Sequence, residues 1–573
     1  MNAKPDNRWQ IWIDRGGTFT DVVARSPDNL VVTRKYLSED PARPGDAAVA
    51  AIRDLTGAGA GPLPLLAIRI GSTVATNALL ERKGEPTLLA ITRGFGDALI
   101  IGYQDRPGLF ARRLDRIAPP HAEVAEIAER VGPDGAVRIP LDEAAARMSL
   151  KAARGRGLTS IAIVLVHGYR YPAHEARLAE IAAELGFSQI STSHDVSALI
   201  KLIGRGDTTL ADAYLSPVLH HYVRQFVAQL GDGIDPQFMK SSGGLAAASA
   251  FHGRDAILSG PAGGIVGMVG SAAPLGKNRL IGFDMGGTST DVSHYAGRLE
   301  RDNETIVAGT RIRAPMLRIH TVAAGGGSIC RWDGARLRVG PESAGANPGP
   351  AAYGRGGPLT VTDCNVLLGK IQPDHFPKLF GPSGDQPLDR DVVAHKFGAM
   401  AKRVGNITPE ALAEGLIAIA VQQMANAIKR ITITRGHDVT QGYSLVGFGG
   451  AAGQHVCLVA DVLGVDEILL HPLAGVLSAY GMGLARPSAI RERTLGLTLD
   501  DSCGTTLAAV EAELSQQART DLAADAPITR ETLLFVRLAD SDNVIELPLA
   551  PPAEVAQAFA AAFSKRFGYA PHS

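Results

Sequence analysis

Residues 8–29 read RWQIWIDRGGTFTDVVARSPDN, and the pattern within them decides what the chain is built around. Trp9 to Ile13 alternates as a strand, Gly16 and Gly17 supply a turn, and Thr20 to Ala24 starts a second strand. The segment therefore predicts a hairpin with a ligand-facing tip. The same design returns at residues 279–298, RLIGFDMGGTSTDVSHYAGR. The eight residues from Asp14 to Asp21 and the eight from Asp284 to Asp291 agree at six positions, 270 residues apart. An echo at that distance, set each time in strand–turn–strand, predicts two lobes with related cores facing each other across a cleft.

The chemistry of each tip points to phosphate. Consecutive backbone N–H groups of Gly16, Gly17 and Thr18, and of Gly286, Gly287 and Thr288, can form a concave anion nest, to which each threonine hydroxyl adds a donor. Carboxylates beside a polyphosphate would repel it unless a divalent cation intervened. Asp14, Asp21, Asp284 and Asp291 therefore indicate Mg²⁺ held largely through water, with Asp14 and Asp284 as the principal pair. The outer pair, Asp21 and Asp291, either assists or only braces the hairpins, because aspartate commonly bonds nearby turn amides. Taken singly, either D-x-G-G-T could be no more than a tight hairpin turn; the repetition is what argues for a nucleotide.

The rest of the chain sets the frame. At 573 residues it exceeds what one compact core usually holds. With 45% apolar and 20% charged residues it reads as an ordinary globular chain. Lys+Arg 57 against Asp+Glu 58 leaves no positive surplus to gather nucleic acid or anionic lipid. The four cysteines, Cys330, Cys364, Cys457 and Cys503, show no C-x-x-C spacing, which argues against a disulfide framework or zinc knuckle and fits a reducing cytoplasm. The start, MNAKPDNRWQ, carries no apolar targeting run, and apolar stretches such as Ile161 to Val166 suit buried strands, so a soluble cytoplasmic protein without membrane or nucleic-acid partners is expected.

The paired hairpins resemble those of the actin, Hsp70 and sugar-kinase superfamily, whose two lobes each offer such a turn to the phosphates of ATP. That resemblance implies an α/β fold of two lobes with an ATP cleft between them. It also implies a late glycine-rich turn against adenosine, which YSLVGFGGAAGQHVCLVADVLG supplies: strand to Gly447, loop Gly449-Gly450-Ala451-Ala452-Gly453, helix from Gln454. Gly449, Gly450 and Gly453 are the expected base or ribose contacts. Another cluster, Ala323 to Ser328, is a candidate to complete the pocket.

Within that superfamily the wording resembles the hydantoinase A/5-oxoprolinase family over about the first 490 residues, in IDRGGTFTDV, GSTVATNALLERKG, SSGGL, DAILSGPAGGIVGMV and GFDMGGTSTDVS. Longer phrases, among them LIKLIGRGDTTLADAYLSPVL and VGPESAGANPGPAAYGRGGPLTVTDCNVLLGKIQP, narrow the likeness to the 5-oxoprolinase branch. The resemblance implies ATP- and Mg²⁺-dependent opening of 5-oxo-L-proline to L-glutamate. It also implies a hydantoinase B-like hydrolytic partner, separate or fused, and an oligomer is expected. A hydantoinase- or caprolactamase-type subunit, or an Hsp70-like reactivating ATPase, are the alternatives.

Asp14, Asp284, Thr18 and Thr288 are the expected catalytic set. For the lactam, Thr73, Thr76 and Asn77 sit where a strand meets a helix, where an N-cap and turn is the plainer reading. Arg15 and Arg106 are candidate partners for the substrate carboxylate, which arginine can bind with two parallel bonds. His455 and Cys457 lack the further ligands of a zinc site and read as packing. The glycines of LSGPAGG, with Ser259, read as a tight turn. The expected domains are 1–200 and 201–490 for the two lobes and 491–573 for a partial α+β segment.

Overall fold

The computed structural model describes residues 8–38, 45–104, 110, 112, 117–376, 378–405, 407–433, 436–522 and 527–571. The first hairpin forms as expected. Strands β1 (Trp9–Arg15) and β2 (Phe19–Arg25) pair antiparallel, β3 (Val31–Leu37) extends the meander, and β4 (Leu66–Ser72) adds parallel to β1 after a crossover helix, Ala47–Thr56. That helix starts at an aspartate cap, Asp46 accepting from the Ala48 amide, and ends at Gly57 in the left-handed region.

The chain then leaves this sheet for an all-parallel one built from β5 (Thr87–Thr92), β6 (His121–Ile127), β7 (Ser160–Val164) and β8 (Gln189–Thr192), in the order β8-β7-β5-β6. The Ile, Leu and Val of the central strands β5 and β7 are buried on both faces, as parallel strands between helices must be, while the edge strand β6 alternates toward solvent. A 29-residue helix, α1 (Leu202–Leu230), returns the chain to the first sheet, which β9 (Gln237–Met239) and β10 (Leu245–Ala247) complete in the order β10-β9-β4-β1-β2-β3.

The first lobe thus runs well past residue 200. Leu219, Val223, Phe226 and Leu230 of α1 share a core with Ile11, Ile13, Val22 and Phe238 of the first sheet. The helical period at residues 202–230 marks a helix, and only packing reveals which sheet it covers.

Helix α2 (Ser259–Ala272) leads into the second sheet. The LSGPAGG turn expected from sequence is instead the entry to this 14-residue helix. There β11 (Arg279–Met285) and β12 (Thr290–Ala296) form the second hairpin, β13 (His320–Val322) pairs antiparallel to β12, and the helix α3 (Pro409–Ile433) precedes the parallel strands β14 (Ser444–Phe448) and β15 (Glu467–Leu469). The order β13-β12-β11-β14-β15 repeats β3-β2-β1-β4-β9 with the same sequence of antiparallel and parallel neighbours. The echo read at eight positions is an echo of whole sheets. Among the described residues α3 is the helix long and apolar enough to cross a bilayer, and Leu412, Leu416, Val421, Met424 and Ile428 place it in the second lobe's core against Ile281 and Phe283.

The helix α4 (Leu477–Leu484) ties the lobes together. It follows β15 of the second sheet yet lies on the first, where Ala479 packs with Trp12 and Val23 and Arg69 Nη1 donates to the Gly483 carbonyl. Conversely, α2 follows the first sheet and packs Ile265 and Met268 with Leu280, Val446 and Phe448 of the second. The two helices cross at glycine: a Cβ on Gly481 would stand 1.9 Å from the Gly263 carbonyl oxygen and 2.5 Å from the Gly267 nitrogen. Beyond residue 490 an extended stretch leads to a helix (Gly504–Leu522), a two-stranded sheet (Leu533–Val536 with Ile545–Pro548) and a final helix (Pro552–Phe567), whose Val555, Phe559 and Phe563 form a small core with Ile545 and Leu547.

Candidate active site

Strand parity places the acidic residues. On β1, Ile11, Ile13 and Arg15 face the outer helices while Trp12 and Asp14 face the α2–α4 side; on β11, Ile281, Phe283 and Met285 face α3 while Leu280 and Asp284 face α2. Both inner aspartates therefore point between the lobes. Asp21 lies directly across the ladder from Asp14, and Asp291 across from Asp284. Each hairpin closes with the same bond, Gly16 N–H to the Phe19 carbonyl and Gly286 N–H to the Ser289 carbonyl, both 3.0 Å. The tips, Gly17-Thr18 and Gly287-Thr288, are exposed.

The two tips are backed differently. Ser38 supports the first, its hydroxyl donating to the Gly16 carbonyl at 2.7 Å and its amide to Thr18 at 3.0 Å. Backbone supports the second, with Gly326 N–H on the Gly286 carbonyl at 3.1 Å and Gly327 N–H on Gly287 at 2.6 Å. A Cβ on Gly325 would come within 2.7 Å of the Ser289 nitrogen. The third glycine cluster is thus a buttress for the second hairpin, its Gly325 amide being used as well, by Ser328 Oγ.

A helix turn and a loop close on the inner carboxylates. A Cβ on Gly260, in the first turn of α2, would stand 3.0 Å from Asp14 Oδ1; one on Gly449, at φ +85°, would stand 2.3 Å from Asp284 Oδ1. Asp14 Oδ1 is buried without a hydrogen-bond partner. Burial, then Asp21, pushes Asp14 up to about 7 against the pull of Lys35. Burial, then Asp291, Asp14 and Asp21, pushes Asp284 up to about 8. Carboxylates from both lobes therefore feel one another across the cleft. A water-sized cavity of about 10 Å³ adjoins Asp284 and Asp291, lined also by Pro261, Ile265 and Phe448. Asp14 and Asp284, the former with an orphaned buried oxygen, offer carboxylate oxygens of the kind that suit the water shell of a hard divalent cation.

The outer aspartates have partners. Lys35 Nζ bonds Asp21 Oδ1, and Thr321 Oγ1 donates to Asp291 Oδ1 at 2.6 Å. Beside the second hairpin, the loop after β14 is tied down by Ala451 N–H on the Met285 carbonyl, 2.9 Å, and Gly449 N–H on Ala474, 3.0 Å. Gly450 and Gly453 are exposed. Ala452 is not among the described residues with positive φ, so alanine there is unstrained, and a short 3₁₀ turn, Ala452–Gln454, precedes the helix Val456–Leu463.

The substrate candidates resolve as follows. Thr73 Oγ1 and its amide both donate to the Arg15 carbonyl at 3.1 Å, with no side-chain cap on the helix Val74–Leu80. Thr76 Oγ1 accepts from the Leu258 amide at 3.2 Å, pinning the entry to α2. Asn77 Nδ2 reaches Thr73 Oγ1 at 3.4 Å, and a Cβ on Gly17 would stand 3.4 Å from it, so Asn77 borders the first tip. Arg15 points to the outer face, where Asp46 holds its Nε at 3.2 Å and the Tyr222 ring lies 5.2 Å from its guanidinium. It already has a protein carboxylate in place of a ligand's. Arg106 lies outside the described residues. His455 is buried and held neutral, burial pushing it down to about 4, with Asn365 Nδ2 3.0 Å from its Nε2. Sequence reasoning did not single out Lys35, Thr321 or Gly260; strand pairing to the outer aspartates would have found the first two. A far larger cavity, about 1090 Å³, lies away from the hairpins between β10, the stretch 487–497 and the helix Gly504–Leu522.

The chain is similar to known proteins over most of its length. The family model described as hydantoinase/oxoprolinase matches residues 205–491, and that of the hydantoinase/oxoprolinase N-terminal region matches residues 10–186. A 5-oxoprolinase of Saccharomyces cerevisiae is 43% identical over 528 residues, 83% of this chain and 41% of that protein. The caprolactamase subunit alpha of Pseudomonas jessenii is 34% identical over 517 residues, 86% of this chain and 73% of that subunit. The crystal structure of ATP-dependent caprolactamase from the same organism superposes with a TM-score of 0.85 at 31% identity, covering 98% of this chain and 85% of that one. The chain spans about two-fifths of the length of the curated 5-oxoprolinases it matches.

Proposed function

This chain belongs to the hydantoinase/oxoprolinase family, and from that premise we propose that it is the ATP-using part of a cyclic-amide hydrolase, with 5-oxo-L-proline as substrate. The observation that carries the reading is the pair of half-buried aspartates, Asp14 and Asp284, presented toward each other by duplicated hairpins. The amides of Gly17 and Thr18 and of Gly287 and Thr288 receive phosphate oxygens, those of Gly16 and Gly286 being spent on closing the hairpins, with the Thr18 and Thr288 hydroxyls as further donors. Asp14 and Asp284 hold the Mg²⁺ water shell, and Asp21 and Asp291 brace the hairpins. Gly449, Gly450 and Gly453 lie against adenosine.

A lactam resists water because its amide is resonance-stabilised. Bound Mg²⁺-ATP supplies a γ-phosphoryl group to the lactam oxygen, the bond to the β-phosphate breaking as ADP departs. What the chain contributes is alignment and charge neutralisation, which phosphoryl transfer mainly requires. Ring opening and phosphate release then consume two waters, and we assign that hydrolysis to a hydantoinase B-like half, fused or separate, in an oligomer. The named kinship of a caprolactamase subunit alpha supports a divided enzyme. A reducing cytoplasm is the proposed setting, in keeping with four unbonded cysteines.

The test is ADP release by purified chain with Mg²⁺-ATP and 5-oxoproline, against hydantoin, caprolactam and no substrate, with and without the second half. Stimulation by 5-oxoproline alone supports the reading. Stimulation by caprolactam or hydantoin instead reassigns the substrate within the family, and tight nucleotide binding with no ADP in any arm, second half included, removes it.

A further inference from the structure

The two hairpins differ at one matched position. Lys35 on β3 is the ladder partner of Asp21, and Thr321 on β13 is the ladder partner of Asp291. Each side chain bonds the outer aspartate across from it, so the sheets put a cation in one lobe where the other has a hydroxyl. Among the described residues, Lys35 is the one basic side chain ion-paired to any of the four carboxylates. The first hairpin thus carries Asp14 and Asp21 against an ammonium, and the second carries Asp284 and Asp291 with no counter-charge of that kind.

Building on the nucleotide reading above, we infer that Lys35 grips the terminal phosphate of ATP from the first lobe, drawing the divalent cation held between Asp14 and Asp284 toward the second lobe. A polyanion and a dication in one cleft sort themselves by local charge, and the lobe that keeps both carboxylates unneutralised attracts the metal. The lysine is placed to switch partners. Its side chain is 49% exposed, beside the exposed Gly17-Thr18 tip. The Phe19 ring, 5.1 Å from Nζ, holds the ammonium at the tip, and the matched residue of the second hairpin, Ser289, has no ring to do so. An ammonium on a flexible stem can turn from Asp21 to a phosphate oxygen without moving backbone.

The experiment is equilibrium binding of ATP and of ADP to the full chain in excess Mg²⁺, by calorimetry, for wild type, Lys35→Met, Lys35→Arg and Lys35→Met/Asp21→Asn. Lys35→Met is expected to weaken ATP by about 10- to 100-fold and ADP by less than about 3-fold, the loss of one charge-assisted bond to the group only ATP carries. Lys35→Arg should keep most of the preference. If Lys35 serves only to neutralise Asp21, the double variant recovers ATP affinity, and the inference fails. Equal loss of ATP and ADP in Lys35→Met also overturns it, while leaving the nucleotide site in place. A wild-type chain that binds neither nucleotide overturns the nucleotide reading itself, and this inference with it.

Discussion

The two hairpins share strand order, closing bond and acidic pair, and they part company in what stands behind them. The first is backed by a serine and flanked by a lysine and a phenylalanine; the second is backed by glycine backbone and flanked by a threonine. The shared features all concern the position of amides and carboxylates at the tips. The differing ones concern how each tip is held and charged. A duplicated backbone can therefore present one chemistry twice while the surrounding side chains make the two ends of a ligand unequal.

The hardest blow to this comparison would be an inner aspartate that does not matter. Asp14→Ala and Asp284→Ala are each expected to lower the ATP turnover by about 10²- to 10³-fold, the scale of losing one preorganised electrostatic group. Asp21→Asn and Asp291→Asn should cost about tenfold or less in the same steady-state ADP assay, since bracing is shared with backbone. Equal losses at inner and outer positions would erase the distinction.

The unequal backing predicts an unequal response in stability. A side chain at Gly325 must displace the backbone of Thr288 and Ser289, so Gly325→Ala should destabilise by about 1–3 kcal/mol. Ser38→Ala removes the hydroxyl's bonds to the Gly16 carbonyl and Thr20 but keeps the amide bond to Thr18, and about 1 kcal/mol is expected by denaturant titration. A larger loss at Ser38 would mean that the first hairpin is the more dependent one.

The smallest effect is on pH. Folded Asp14 and Asp284 keep their protons to about 7 and about 8, while unfolded aspartate releases its proton near 4. Between those values the folded chain binds more protons than the unfolded one, so this contribution to stability falls as pH rises. In EDTA the melting temperature should drop by about 2–5 °C between pH 5.5 and 8.5, and Asp14→Asn/Asp284→Asn should flatten that slope. Added Mg²⁺ should flatten it too, by favouring the charged carboxylates.

Much of this was legible in the sequence because the hairpin signal is local and occurs twice: eight residues carry strand, turn and acid together. What escaped was whatever depends on who packs against whom. The α1 period is helical wherever it docks, so a boundary near 200 looked natural although Phe226 and Leu230 belong to the first core. The glycines of LSGPAGG, Gly260, Gly263 and Gly264, read as a tight turn, and they start a helix whose neighbour needs the room. The glycines at 325–327 looked ligand-facing, yet the close approach they permit is to another loop. Arg15 was a fair guess by chemistry, and counting alternate residues from Ile13 turns it away from the cleft.

The crossing of α2 and α4 has a mechanical side. Each helix springs from one lobe and rests against the other, and at Gly263, Gly267 and Gly481 backbone meets backbone while Leu477, Met482 and Leu484 of α4 lie over the glycines of α2. Such a contact leaves no slack: a side chain at Gly481 would meet the Gly263 carbonyl and the Gly267 nitrogen and part the two helices that tie the lobes. The first turn of α2 lies against Asp14 through Gly260, and Pro261 lines the small cavity beside Asp284, so bulk forced into the crossing would be passed along one helix to both acids.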